Sequence, residues 1–176
     1  MPRSVAFLRA LNLGSRRKVA MADLRAAFEE LGFDDVSTFI NSGNVLFSTP
    51  RRGRALERSI EEHLESALGF DVPTYVRTAS EVQKMLTAAP FEVATGDTYQ
   101  VGFLHQRPSA AVCRAVAALS TKRDELAVVG RDVHWRIAGK VMDSTLKAGA
   151  LDRALGAPTT MRNTTMLRKV AAKLDS

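Results

Sequence analysis

The chain has 176 residues, 45% hydrophobic, 25% charged and 6% aromatic, with one cysteine and a formal net charge of +6. That length suits one domain or two small packed halves and is enough to bury roughly two-thirds of the surface of the unfolded chain, while the balanced apolar and charged fractions argue against disorder and low-complexity architectures. The lone Cys113 excludes an intrachain disulfide and a cysteine-based metal cluster and fits a reducing cytoplasm, and without a run of about eighteen apolar residues neither a signal peptide nor a membrane span is expected.

Val5 to Leu8 is a continuous apolar run, the pattern of a central strand covered on both faces. From Met21, apolar residues at Leu24, Phe28 and Leu31 make one helical stripe, with Asp23 in the first turn and Gly32-Phe33 as its stop. Val36 to Ile40 reads as a strand, Asn41-Ser42-Gly43-Asn44 as a tight hairpin turn and Val45 to Phe47 as the returning strand. A second helix spans about Arg54 to Leu68 on the stripe Leu56, Ile60, Leu64 and Leu68, and Glu57, Glu61, Glu62 and Glu65 are expected on its solvated face, paired with Arg54 and Arg58. Its end, Leu68-Gly69-Phe70-Asp71, repeats Leu31-Gly32-Phe33-Asp34, and Pro73 to Val76 follows as a strand. The resulting β-α-β-β-α-β order is that of the ferredoxin-like split βαβ arrangement.

Ser80 with Gln83 forms a candidate capping box for a short helix ending near Pro90. The order then restarts with Tyr99 to Leu104 as strand, Ser109 to Leu119 as helix, a hairpin of Leu126 to Val129 and Val133 to Ile137, and Leu146 to Leu155 as helix, stopped by Gly156-Ala157-Pro158. Thr159 to Arg162 supplies a short strand, and Asn163 caps a terminal helix with the stripe Leu167, Val170, Ala171 and Leu174. The expected fold is α+β: two ferredoxin-like halves packed as one compact unit, residues 1–77 and 98–176, joined by 78–97, with the C-terminal helix in the second half.

Three segments carry a family likeness: Phe7-Leu8-Arg9-Ala10-Leu11-Asn12-Leu13-Gly14 through Lys18 with Met21-Ala22-Asp23-Leu24-Arg25, then Ile40-Asn41-Ser42-Gly43-Asn44-Val45, and Thr160-Met161-Arg162-Asn163. On these the chain resembles the bacterial domain-of-unknown-function family DUF1697 over essentially its whole length. The resemblance implies the two-part α+β fold and no established reaction. Two glycine places in the first motif hold Ala10 and Ser15, a serine-lysine pair usual before the fifth helix is Ser144-Thr145, and an aromatic usual after the Arg-Asn pair is Thr164.

Charge is uneven: residues 1–90 carry 12 basic and 11 acidic groups, whereas residues 91–176 carry 13 and 8. A basic second half favours an anionic partner, although a composition rich in arginine and alanine accounts for part of the excess. Arg9 closes the first strand on the side of Val5 and Phe7, and Asn12, Gly14 and Lys18 follow in a loop that feeds a helix, where free N–H groups suit phosphate or carboxylate. The P-loop spacing is absent. Asn41, Ser42 and Asn44 have a strong explanation as turn residues, and Asn163 as a cap, while Arg162 offers a bidentate fork to an anion. Cys113 lies among small apolar residues, as a buried structural thiol would, and His63, His105 and His134 have no ligand-like spacing, so no metal, no cofactor and no nucleophile with its base are assigned. Trp135 alternates with Val133 and Ile137 and is expected to face the core, and Tyr99 and Phe103 share a strand face that would resemble a stacking platform if it were open.

The leading expectation is a cytoplasmic protein that binds an anionic ligand, whether nucleotide, phosphorylated metabolite or nucleic acid, through Arg9, Asn12, Gly14, Lys18, Asn41, Ser42, Asn44 and Arg162. The alternatives are an enzyme acting on a phosphate- or carboxylate-bearing small molecule and a plain interaction module, including a homodimer through an open sheet face. No membrane partner is expected.

Overall fold

The structure, a computed structural model, describes residues 1–9, 11, 18–39 and 43–176. These fall into two units, Met1–Gln83 with Lys169–Ser176, and Lys84–Arg168. Each unit is a four-stranded antiparallel sheet with helices on one face, an α+β assembly.

In the first unit the order is β1 (Arg3–Leu8), α1 (Met21–Glu30), β2 (Asp34–Thr38), β3 (Asn44–Ser48), α2 (Gly53–Leu68) and β4 (Thr74–Thr78). The sheet runs β2-β3-β1-β4, with the apolar run of β1 between two antiparallel neighbours. Strand alternation sends Ala6 and Leu8 to the helix side, where they meet Phe28 of α1 and Leu56, Ile60 and Leu64 of α2 in one buried cluster. Each such buried leucine or isoleucine contributes about 1.5–3 kcal/mol. Helix α2 ends at Gly69, whose φ of +84° is the left-handed conformation that a residue with a Cβ adopts only at a cost.

Three local expectations need correction here. Asn44 lies in β3 rather than in the turn: it is buried, its Nδ2 donates to Phe39 O at 3.1 Å, and its own carbonyl accepts from Phe39 N at 3.0 Å. Glu57 is fully buried rather than solvated, because it stands beside the Leu56 stripe and accepts the Val76 N–H of β4 at 2.9 Å. The capping box of α3 (Ala79–Thr87) is made by Thr78 and Glu81, not by Ser80 and Gln83. Glu81 Oε2 accepts from Thr78 N at 2.8 Å, and Thr78 Oγ1 accepts from Glu81 N at 3.2 Å, since the helix starts directly after β4.

The second unit repeats the pattern with β5 (Thr98–Phe103), α4 (Ala110–Ala117), β6 (Asp124–Val129), β7 (Asp132–Ile137), α5 (Ala150–Leu155) and β8 (Thr160–Asn163). Its sheet runs β6-β7-β5-β8, the same relative order as in the first unit. Leu126 and Val133 face Val116 of α4 and Leu151 and Leu155 of α5. Helix α5 is shorter than the apolar spacing from Leu146 suggests. Gly149 takes a φ of +76° and Thr145 N is bonded to the Asp124 carboxylate, so residues 146–149 run as a loop.

Helix α6 (Thr164–Asp175) is capped by Asn163, whose Oδ1 accepts from Met166 N at 2.8 Å. Its last residues group with the first unit, where Arg3 Nη1 donates to the carbonyls of Lys173 at 3.1 Å and Ser176 at 3.2 Å. Among the described residues no helix is long and apolar enough to cross a membrane.

Candidate functional site

Of the eight candidate residues, Asn12, Gly14, Asn41 and Ser42 lie outside the described residues. Lys18 is exposed ahead of α1, and Asn44 is engaged in closing the β2-β3 connection. Arg9 and Arg162 remain as half-buried cations, one in each unit.

Arg9 follows the last residue of β1 and continues its pairing, with its N–H donated to Pro73 O at 2.9 Å. Alternation sets its side chain on the side of Phe7, which pairs with Tyr75 of β4. Burial pushes the Tyr75 phenol up from its ordinary value, and the positive charge of Arg9 works in the opposite direction. The acids of α2 also reach this phenol. Arg54 Nη1 lies 2.6 Å from Glu61 Oε1 and 3.5 Å from Glu57 Oε2, and Glu57 Oε1 lies 3.9 Å from the buried Arg77 Nη1. Burial disfavours the Arg54 cation, but Glu61 and Glu57 together outweigh that, so its pKa rises. This end of the first unit alternates positive and negative charge.

In the second unit, Arg162 sits on the edge strand β8 directly opposite Val101, and His134 of β7 is opposite Val101 on its other side. The three side chains form a row on the sheet face away from α4 and α5. His134 Nδ1 is 2.8 Å from Tyr99 Oη on the same face, with the two rings edge to face and their centroids 5.8 Å apart. Burial brings His134 down to about 4 and pushes Tyr99 up to about 12. At neutral pH the imidazole is uncharged and the phenol protonated, so neither group is poised to exchange protons with a substrate near pH 7.

Arg136 is another half-buried arginine of the same unit. Arg136 has Asp97 Oδ2 at 2.7 Å and Glu125 Oε1 beside it, and these carboxylates hold its pKa up. Burial instead brings Arg162 down to about 10. Its Nη1 donates to Thr160 Oγ1 at 2.8 Å and to Met161 O at 2.9 Å, which fixes the plane of the guanidinium with neutral oxygens. A partly desolvated, oriented fork of this kind is suited to phosphate or carboxylate.

Sequence reasoning missed the buried carboxylate of Asp124. Its Oδ1 accepts from Trp135 Nε1 at 2.9 Å and Ser144 Oγ at 2.6 Å, and its Oδ2 from Thr145 N and Thr145 Oγ1, both at 2.9 Å. Burial alone raises its pKa, but the bonds from Ser144, Thr145 and Trp135 outweigh that and hold it below the ordinary value. The hydroxyl-rich pair Ser144-Thr145 was the visible signal. Tyr99 and Phe103 are buried, so they present no open stacking platform, and Cys113 is a half-buried free thiol rather than a fully buried one. Among the described residues no group of three or more histidine, cysteine, aspartate or glutamate side chains could hold a metal ion.

Residues 1–134 match the family model described as a protein of unknown function, DUF1697. The chain belongs to this family. As a DUF1697 member it is also similar in fold to the conserved bacterial protein SP0830 from Streptococcus pneumoniae. The TM-score is 0.77 at 22% sequence identity, and the match covers 100% of this chain and 99% of the other. At that identity the likeness shows the fold alone. No curated protein matches the sequence. The Ser144-Thr145 departure noted in the DUF1697 motifs now has a structural role, since both hydroxyls bond Asp124.

Proposed function

We propose that this DUF1697 protein is a cytoplasmic binder of an anionic ligand and that Arg162 is its contact in the second unit. The observation that carries the reading is the burial and orientation of the Arg162 guanidinium: burial brings it down to about 10, and its Nη1 donates to Thr160 Oγ1 and Met161 O. A bound anion would offset the solvation that this cation has lost. We read both units as ferredoxin-like split βαβ folds, supported by the strand orders β2-β3-β1-β4 and β6-β7-β5-β8. Binding is favoured over catalysis because the titratable pair nearest Arg162 in the strand register, His134 and Tyr99, does not titrate near neutral pH.

Fluorescence anisotropy with labelled single-stranded RNA, duplex DNA and a labelled nucleotide, at low and physiological salt, tests the reading. Binding that Arg162→Ala weakens without loss of folding supports it. A log-salt slope near −0.9 per phosphate contacted would assign the ligand to duplex DNA rather than to a small anion. Absence of binding to all three probes, or equal binding by wild type and Arg162→Ala, overturns it.

A further inference from the structure

The helix-side face of the second unit holds a groove of about 250 Å³ between β7, β8 and the loop that leads into α5. Its walls include Trp135, Leu146, Lys147, Asp152, Thr159 and Met161. Met161 and Arg162 are consecutive in a strand, so this groove opens on the opposite sheet face from the Arg162 fork.

Two features show that the groove is built rather than left over between elements. Asp124 fixes both sides: it accepts the Trp135 indole N–H, and through Ser144 Oγ and Thr145 N it anchors the chain just before Leu146 and Lys147. The floor is close-fitting at a glycine. A Cβ at Gly102 would fall 2.9 Å from Met161 Cε and 3.0 Å from Thr159 Oγ1, so the thioether end approaches the backbone of the central strand at a residue that has no side chain. The Thr159 hydroxyl is directed by donation to Phe103 O at 2.7 Å.

We propose that this groove binds a small planar aromatic ring carrying one anionic group and a hydrogen-bond donor. The ring lies against the Trp135 indole and the Met161 thioether, surfaces that favour stacking and sulfur-aromatic contact. The anionic group goes to Lys147, which is exposed at the rim and, among the described residues, has no carboxylate partner. The Asp152 carboxylate, which also lines the groove, accepts from a hydroxyl or N–H of the ligand. Size agrees, because an apolar cavity of roughly 150 Å³ takes a benzene ring and the larger space here admits a bicyclic one.

Trp135 is the protein's one tryptophan, so its fluorescence reports on the groove directly. The test titrates the full chain with adenosine 5′-monophosphate, adenosine, benzoate and inorganic phosphate. Saturable quenching by the monophosphate is expected, with adenosine at least about tenfold weaker, the worth of one charge-assisted contact. Lys147→Ala, an exposed substitution, brings the monophosphate to the level of adenosine. Arg162→Ala leaves the titration unchanged, which separates this site from the anion contact on the other face. Quenching by benzoate with the same Lys147 dependence, and none by the monophosphate, supports the groove and assigns a carboxylate as its anion. No saturable quenching by either ring compound, quenching by inorganic phosphate alone, or a response lost in Arg162→Ala but kept in Lys147→Ala overturns the proposal.

Discussion

The Tyr99 hydroxyl and His134 Nδ1 meet at 2.8 Å on a buried sheet face, and the burial of that imidazole makes the second unit sensitive to mild acid. His134 titrates at about 4 when folded, below the ordinary value of 6.5, so the unfolded chain binds the extra proton first. The sign follows. This contribution is fully present above pH 6.5, is lost as pH falls toward 4, and amounts to about 3 kcal/mol. Urea denaturation at several pH values reads it as a falling midpoint across that window. His134→Phe flattens the fall in that window, and an unchanged slope in the variant would remove His134 as its source.

Asp124 governs a different window and a different element. Its folded pKa lies below its ordinary value, so its contribution is present at neutral pH and lost only as pH falls through the carboxylate range. Asp124→Ala leaves the Trp135 N–H and the Thr145 N–H without their buried acceptor, a change expected to cost about 3 kcal/mol. Calorimetry measures the lower Tm, and red-shifted Trp135 emission reports the freed indole. Asp124→Asn retains an acceptor and is expected to lose about half as much.

Much of the fold was legible because its signals are local. The apolar run of β1, the four-residue spacing of α2 and the glycines after α2 and α5, with φ of +84° and +70°, are all readable within a few positions. The misreadings share one cause. Glu57 finds its N–H donor 19 positions away at Val76, and Asp124 captures Thr145 from 21 positions away, so each residue's role depends on a partner that the local pattern does not contain. The helix expected from Leu146 fails for the same reason. For the candidate site, Arg162 could be named from its residue type, but its place beside Val101 and His134 emerges only from strand register. Asn44 looked like turn chemistry and is instead a buried side chain that closes the connection to Phe39.

Glu57 and Arg77 give the first unit a buried charge relationship at 3.9 Å, both side chains being 1% exposed. The pair is weak evidence for stability as such, because removing two charges from water opposes their attraction. Breaking it is another matter. Glu57→Ala leaves Arg77 buried without this carboxylate and Val76 N–H without its acceptor, for an expected loss of about 3–5 kcal/mol. The double variant Glu57→Leu with Arg77→Met is expected to be more stable than Glu57→Ala, and guanidinium denaturation of both orders them. Equal stability of the two would show that Arg77 is not what makes Glu57 necessary.

Arg162 and Asn163 are neighbours in sequence with separable roles. Asn163 caps α6 by accepting the Met166 N–H, so Asn163→Ala is expected to cost about 1 kcal/mol of stability and leave anion affinity intact. Arg162→Ala is expected to do the reverse. It removes a cation already disfavoured by burial, together with its bonds to Thr160 and Met161, and should change stability by no more than about 1 kcal/mol. Its effect on a bound anion should be about tenfold or more in Kd, because the lost contact is charge-assisted. Arg162→Lys keeps the charge without the planar fork and is expected to recover only part of the affinity. Thermal denaturation and anisotropy titration on the three variants separate cap from ligand contact, and a large Tm loss in Arg162→Ala with unchanged anion affinity would make Arg162 structural.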